Sequence, residues 1–168
     1  MRQPILRCLH IYKFDKLSRA YCSQSRGQFV KALNIDQPWA ELIIRGRKKI
    51  ELRNKRTSYR GLIVVRATKT VLIEYCKKYS LDPDKLPTGK IVGTVEIVKV
   101  IDFTQKLWED LRNEHLSDAP QPGKLKGWKL NNPKFLQSPI PYPRTLPGIF
   151  NLPEETAEKI RKAEKIEE

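Results

Sequence analysis

The chain has 168 residues, with 33 lysines and arginines against 19 aspartates and glutamates and a formal net charge of +14. This length fits one compact domain, or one domain with tails. No stretch approaches the roughly 18 consecutive apolar residues of a membrane-spanning helix, so we expect no membrane association. The three cysteines are Cys8, Cys22 and Cys76. Their number and spacing argue against a disulfide-stapled secreted domain and against a zinc site, and favour a reducing, intracellular compartment.

The positive charge is concentrated at one end of the sequence. Residues 1–70 contain 17 basic and 4 acidic side chains, a net of +13, whereas residues 71–168 contain 16 and 15. Such an excess indicates a polyanionic partner, and a nucleic acid is the first candidate. The alternative is a well-solvated surface combined with a targeting segment.

Residues 1–28 differ in composition from the rest, with six basic side chains and one acidic side chain. An arginine-rich, serine-containing start that is poor in acids and could form an amphipathic helix is typical of a mitochondrial transit peptide. A disordered basic arm is the alternative. We therefore expect a basic N-terminal extension on a protein that is cytoplasmic, or mitochondrial if the extension acts as a transit peptide.

From residue 29 onward, the pattern predicts about six strands and three or four short helices. Seven segments have strand character, at residues 29–35, 48–53, 60–67, 90–101, 127–130, 135–136 and 148–152, and the short ones at 127–130 and 135–136 are edge-like. Helices are predicted after an Asp36 N-cap, ending at Gly46, and at 70–79 and 105–116. Together these elements imply a mixed barrel with helices over its ends.

Two further details refine this arrangement. Segment 90–101 is predicted to be the longest strand, and Gly93 within it indicates a bulge or a close backbone approach. Residues 153–168 alternate glutamate with lysine and lack a broad apolar stripe, which predicts a peripheral charged helix.

The densest chemistry lies in residues 36–53. Strand alternation places Lys49, Glu51 and Arg53 on one face and Lys48 on the other. A carboxylate between two cations predicts an ion-pair ladder, although Arg53 could instead present its planar fork to a phosphate or a base edge. The alternative is a solvated strand of mixed charge.

The order Gln37-Pro38-Trp39-Ala40, followed by Gly46-x-Lys48-x-x-Glu51-x-Arg53, resembles the signature of the ASCH domain. The resemblance covers about residues 29–152. It implies an α+β fold, a PUA-like small mixed β-barrel of about six strands with short helices covering its ends. The chain would then divide into the extension 1–28, the domain 29–152 and the charged helix 153–168.

The resemblance also implies that the motif lines a cleft that binds RNA or a modified nucleoside. Trp39 would either stack on a base or belong to the core. The loop after Arg53 places an aromatic side chain among cations, which suits single-stranded RNA. The predicted ligand-binding residues are Gln37, Trp39, Gly46, Lys48, Glu51, Arg53, Arg56, Tyr59 and Arg60.

A small hydrolase is the alternative function. Some bacterial members of the family cleave the amide of acylated cytidine nucleosides such as N4-acetylcytidine with a lysine, a threonine nucleophile and a carboxylate, and ribonuclease activity is also attributed to the family. Lys48 matches the lysine, but Glu51 stands where the threonine belongs. The candidate catalytic residues are therefore Lys48 and Glu51, as an acid–base pair. Neither function implies a metal or an organic cofactor, and we expect a monomer.

Overall fold

The computed structural model describes residues 30–143, 145 and 148–166, so the predicted extension over residues 1–28 lies outside the described part. The strands are β1 (Val30–Gln37), β2 (Ile50–Arg53), β3 (Gly61–Val71), β4 (Lys90–Asp102), β5 (Lys126–Pro141) and β6 (Ile149–Leu152). The helices are α1 (Trp39–Ile44), α2 (Ile73–Lys78), α3 (Gln105–Asp110), α4 (Arg112–His115) and α5 (Glu154–Ile166), with a 3-10 turn at Pro83–Lys85. Within these residues, no helix has the length and apolar character needed to cross a bilayer.

All six strands form one mixed sheet in the order β2-β5-β4-β3-β1-β6. β1 and β3 are parallel, and the other neighbouring strands are antiparallel. In the described part of the chain the outer strands β2 and β6 do not pair with each other, so the barrel stays open between them. The predicted α+β fold is confirmed, as a loose form of the PUA-like barrel.

Both faces of the sheet are covered, which explains why the central strand β3 is an almost unbroken apolar run. Ile63 and Val65 belong to one buried cluster together with Ile43 of α1. Val64, between them, belongs to a second cluster together with Ile160 of α5. Successive side chains of a strand point to opposite faces, so β3 supplies both cores at once.

The expectation that the C-terminal helix is peripheral is wrong. Ala157 and Ile160 of α5 are fully buried, and their three-residue spacing places them on one side of the helix. The Thr94 hydroxyl of β4 donates a hydrogen bond of 2.8 Å to Glu164 of the same helix. A narrow apolar stripe is sufficient here because the sheet supplies most of the apolar surface.

The two short edge strands predicted at 127–130 and 135–136 are one continuous strand. β5 has 16 residues and is longer than β4, which has 13. It lies between β2 and β4, so it is not at an edge. The register between β4 and β5 shifts around Pro133 and Pro139, and these irregularities accommodate residues that cannot donate a backbone hydrogen bond.

Gly93 confirms the predicted close approach. A Cβ atom at this position would lie 2.2 Å from the carbonyl oxygen of Lys134 on the adjacent strand. The register of β4 against β3 also shifts beside it, between Val65 and Arg66. Only a residue without a side chain permits the strands to pair this closely.

Candidate functional site

A cleft of about 1150 Å³ opens where β1, β2 and β3 meet the connection between β5 and β6. Three of the predicted site residues, Trp39, Glu51 and Arg53, line it. Two polar residues that the prediction omitted, Asn34 and Arg66, line it as well. With Asp36, which also lines it, the cleft combines an indole, two carboxylates and two guanidinium groups.

Lys48 is buried because the chain turns sharply after α1. Gly46 ends that helix with a φ of +72°, a backbone conformation that suits glycine. Only 4% of Lys48 is exposed. Its ammonium donates hydrogen bonds of 2.5 Å to the Ile50 carbonyl and 2.8 Å to the His115 carbonyl.

The prediction that Lys48 lies on the other face of the strand from Glu51 is wrong. The Lys48 Nζ atom lies 3.7 Å from Oε2 of Glu51. Strand alternation begins only at Ile50, where β2 starts, so it does not govern the direction of the preceding lysine. Lys49, which was predicted to join the ladder, is exposed instead.

Glu51 lies between two cations, as predicted, although one of them is Lys48. Its Oε1 atom is 2.9 Å from the Arg53 Nε atom, a close ion pair in which Nε is not aligned for a hydrogen bond. Arg53 also donates a hydrogen bond of 2.7 Å from Nη2 to the Asn34 carbonyl. The carboxylate is thus fixed at the cleft wall, with 7% of the residue exposed.

Burial lowers the pKa of Lys48, and the nearby Glu51 carboxylate opposes this shift. Two carbonyl oxygens and one carboxylate surround the ammonium, which offsets much of the cost of removing it from water. Lys48 does not line the cleft. It therefore holds Glu51 in place from behind.

Trp39 packs against the core and also faces the cleft, so its stacking on a base stays a prediction. It is half-buried and packs against the core cluster that contains α1, and it also lines the cleft. Its ring centroid lies 4.6 Å from that of Tyr75 and 5.8 Å from that of Tyr79. The Lys48 Nζ atom is 5.4 Å from the indole centroid.

Gln37 supports the site from within the fold. It is fully buried, its amide donates to the Pro87 carbonyl at 2.8 Å, and its Oε1 atom accepts from the Glu41 amide at 3.1 Å. Gln37 thus takes the capping role predicted for Asp36, and that prediction is wrong. Asp36 still belongs to β1 and accepts a hydrogen bond from the Thr68 hydroxyl instead.

The remaining predicted residues do not line the cleft. Arg56 is exposed and forms an ion pair with Asp102. Tyr59 is half-buried against the core, and its hydroxyl donates to a main-chain carbonyl. Arg60 is exposed and folds back onto main-chain carbonyls of its own loop. The structure therefore brings the motif residues together but leaves this loop outside the cleft.

Asn34 and Arg66 are two buried cleft residues that the sequence analysis missed. Both are buried, with 9% and 3% exposed, and Arg66 Nη1 donates to Asn34 Oδ1 at 3.1 Å. A signal was present, because Arg66 is the one charged residue in the apolar stretch 62–67, and a buried charge in a central strand is uncommon.

His115 fixes the carbonyl that holds the Lys48 ammonium. Its Nδ1 atom accepts from the Ser117 amide at 3.0 Å, so Nε2 carries the hydrogen and donates to the Trp108 carbonyl at 2.8 Å. Its ring stacks on Trp108 with 3.9 Å between centroids. Burial lowers the pKa of His115, and the Lys48 and Arg112 charges add to this effect. Its hydrogen bond to Trp108 and the Glu114 carboxylate oppose it.

Among residues 30–143, 145 and 148–166, no group of three or more histidine, cysteine, aspartate or glutamate side chains could hold a metal ion. Cys76 is a free thiol buried in the interior, and burial raises its pKa.

Comparison with known proteins agrees with the motif. The family model of the ASCH domain matches residues 33–168. The crystal structure of the ASCH protein from Zymomonas mobilis is similar, with a TM-score of 0.58 and 14% identity over 79% of this chain and 93% of that chain. Two mutants of that protein give TM-scores of 0.58 and 0.57 at 14% identity, covering 80% and 79% of this chain and 98% and 94% of theirs. A search of curated proteins found no match. At this identity, the structural similarity shows the fold.

Replacing the buried lysine should be costly. Lys48→Met removes the ammonium from two carbonyls and a carboxylate and should lower the free energy of unfolding by about 3–5 kcal/mol. The exposed neighbour provides the control, because Lys49→Met should change it by less than about 0.5 kcal/mol. In denaturant titrations, Lys48→Met and Glu51→Gln should show a coupling energy of about 1–3 kcal/mol. If the losses of stability in the two single variants simply added up in the double variant, the ion pair between Lys48 and Glu51 would be contradicted.

Acidification should weaken the fold through His115. The folded protein holds this imidazole neutral, so the unfolded chain binds the extra proton more readily. The contribution of His115 to the free energy of unfolding is complete above its ordinary pKa of 6.5. This contribution is lost as the pH falls from 6.5 through the lowered pKa of the folded protein. One titrating group changes the free energy of unfolding by at most about 1.4 kcal/mol per pH unit. His115→Asn should remove this slope between pH 7 and 5.5, and an unchanged slope in the variant would refute the assignment.

Proposed function

Because this chain belongs to the ASCH domain family, an RNA-related family, we propose that it binds RNA or a modified nucleoside in the cleft beside Glu51 and Arg53. The observation that carries this proposal is the wall of the cleft. A fixed carboxylate, a guanidinium and the indole of Trp39 line the same concave surface. Each of these groups suits a different part of a nucleoside.

The carboxylate and the guanidinium are complementary to the polar edge of a base. Glu51 has acceptor oxygens for an exocyclic amino group, and Arg53 has donors for a ring nitrogen or a carbonyl oxygen. Unstacked bases in single-stranded RNA expose these edges. Because Lys48 and Arg53 hold Glu51 from two sides, little ordering is needed when a base arrives.

Trp39 supplies an apolar wall for stacking. An aromatic side chain contributes about 1–3 kcal/mol per stacked base, with little dependence on sequence. Contacts with Tyr75 and Tyr79 hold the indole in place. Its position would allow a base to reach Glu51 with its edge while its face lies on the indole.

The lining charges favour an anionic ligand. Arg53, Arg66 and Lys69 line the cleft against two carboxylates, Asp36 and Glu51. Lys48 adds a further positive charge directly behind Glu51. Contacts between such cations and phosphates release counterions, so affinity for RNA should fall as salt increases.

Arg53→Ala should lower the affinity for a short single-stranded RNA by about ten-fold or more, because the variant loses a donor at the cleft wall. Arg56→Ala is the matched control, since it removes an exposed arginine outside the cleft, and its effect should stay within about two-fold at moderate salt. Fluorescence anisotropy at several salt concentrations measures both affinities, and circular dichroism checks the fold. If the control weakened binding as much as Arg53→Ala, the cleft would not be the site.

Hydrolysis is the second candidate, and one observation favours it. The Thr68 hydroxyl donates a hydrogen bond to the Asp36 carboxylate, and both residues line the cleft. A hydroxyl beside a carboxylate base is an arrangement used in nucleophilic catalysis. The lysine suggested by the resemblance is less suitable, because Lys48 is buried behind Glu51.

A turnover assay separates the two functions. We expect the wild-type protein to bind N4-acetylcytidine or short RNAs without consuming them, as followed by chromatography of the reaction mixture. Turnover that persists in Thr70→Val but is abolished in Thr68→Val would replace the binding function with hydrolysis. Thr70 is a suitable control because it lines the same cleft.

A further inference from the structure

Arg66 is a buried cation without a carboxylate partner in the part of the chain that the structure describes. It lies in the central strand β3 and lines the cleft, with 3% of the residue exposed. Burial lowers its pKa, but a guanidinium stays protonated at neutral pH. A full positive charge therefore lies in the cleft wall without an ion-pair partner among the described residues.

The hydrogen-bond partners of Arg66 are neutral oxygens. Nε and Nη2 donate to the Tyr142 carbonyl at 3.3 and 3.1 Å, and Nη1 donates to Asn34 Oδ1 at 3.1 Å. A guanidinium has five N–H donors. These contacts use three of them, which leaves one hydrogen on Nη1 and one on Nη2 for a further acceptor.

Neighbouring groups increase the positive potential. Arg53 reaches the same asparagine, donating from Nη2 to its main-chain carbonyl at 2.7 Å. Glu51 is already shared between Lys48 and Arg53. Among the described residues that line the cleft, the cations Arg53, Arg66 and Lys69 outnumber the carboxylates Asp36 and Glu51.

A hydroxyl stands beside this cation. Thr145 Oγ1 accepts a hydrogen bond of 2.7 Å from the Asn34 side chain, which leaves its own hydrogen able to donate. Thr145 also lines the cleft. A guanidinium fork and a hydroxyl donor around one asparagine form a set of donors that suits a tetrahedral oxyanion.

We propose that Arg66 and Thr145 form an anion subsite that receives a phosphate of the bound ligand. The ligand of the cleft is then a nucleotide or an RNA phosphodiester rather than a free nucleoside. This inference rests on the proposed function, in which the base binds beside Glu51 and Arg53, and it adds a binding site for the phosphate. An incoming phosphate neutralises the buried charge and accepts the two remaining guanidinium hydrogens, so its binding offsets a cost that the folded protein already bears.

Calorimetric titrations at low salt test the subsite with cytidine, cytidine 5′-monophosphate and cytidine 3′-monophosphate. The wild-type protein should bind one of the monophosphates at least about ten-fold more tightly than the nucleoside, because the phosphate gains charged hydrogen bonds. Arg66→Met should reduce the ratio of monophosphate affinity to cytidine affinity to within about two-fold. Arg56→Met, the exposed control, should keep the wild-type ratio.

Arg66 also ties the connection after β5 to the sheet, so its loss could unfold the chain. Thr145→Val removes only the hydroxyl, and this second variant should lower the ratio by about three-fold or more. At equal ionic strength, inorganic phosphate should raise the melting temperature of the wild-type protein more than chloride does. This difference between phosphate and chloride should be smaller in Thr145→Val.

The outcomes separate the two proposals. Equal affinity of the wild-type protein for cytidine and both monophosphates would overturn the phosphate subsite and leave nucleoside binding intact. If neither the nucleoside nor the nucleotides nor RNA bound, the proposed function would fail. In that case, the anion subsite would be tested separately, by whether phosphate raises the melting temperature and whether this rise depends on Thr145.

Discussion

The buried ammonium of Lys48 is the interaction on which the candidate site depends. It joins the start of β2, the end of α4 and the cleft carboxylate, through the Ile50 carbonyl, the His115 carbonyl and Glu51. A charge removed from water destabilises the fold unless acceptors surround it. The backbone segments that carry these acceptors must therefore keep their positions. The direction of the Glu51 carboxylate follows from that requirement.

The sheet supplies the rigid frame for this arrangement. Its two covered faces hold β1 and β3 firmly, and these strands carry Asn34 and Arg66 to the cleft. Through Arg66, the central strand also donates hydrogen bonds to the Tyr142 carbonyl, in the connection that follows β5. The cleft thus has one wall where cations share a carboxylate and another where a cation has only neutral partners. This difference in charge is the basis on which we propose a base-binding region and a phosphate-binding region within one cavity.

The sequence predicted the motif-bearing part of the site better than its surroundings. The ion pair between Glu51 and Arg53 followed from strand alternation, because both residues lie within β2. Lys48 was misplaced because it precedes the strand, where no such periodicity applies. The composition of the loop with Arg56 predicts RNA binding, yet this arginine forms an ion pair with Asp102, which is distant in the chain. Composition does not reveal which cations are neutralised by partners distant in the chain.

By itself, the sequence determined the fold class, the close approach at Gly93 and the turn at Gly46, because these depend on local periodicity and on the conformational freedom of glycine. Tertiary structure alone decided which polar groups share the cleft. Asn34 and Arg66 lie on different strands and meet only because β1 and β3 pair in parallel. The burial of α5 likewise depends on the apolar face of the sheet beneath it. Such contacts join residues far apart in the chain, and neither periodicity nor spacing encodes them.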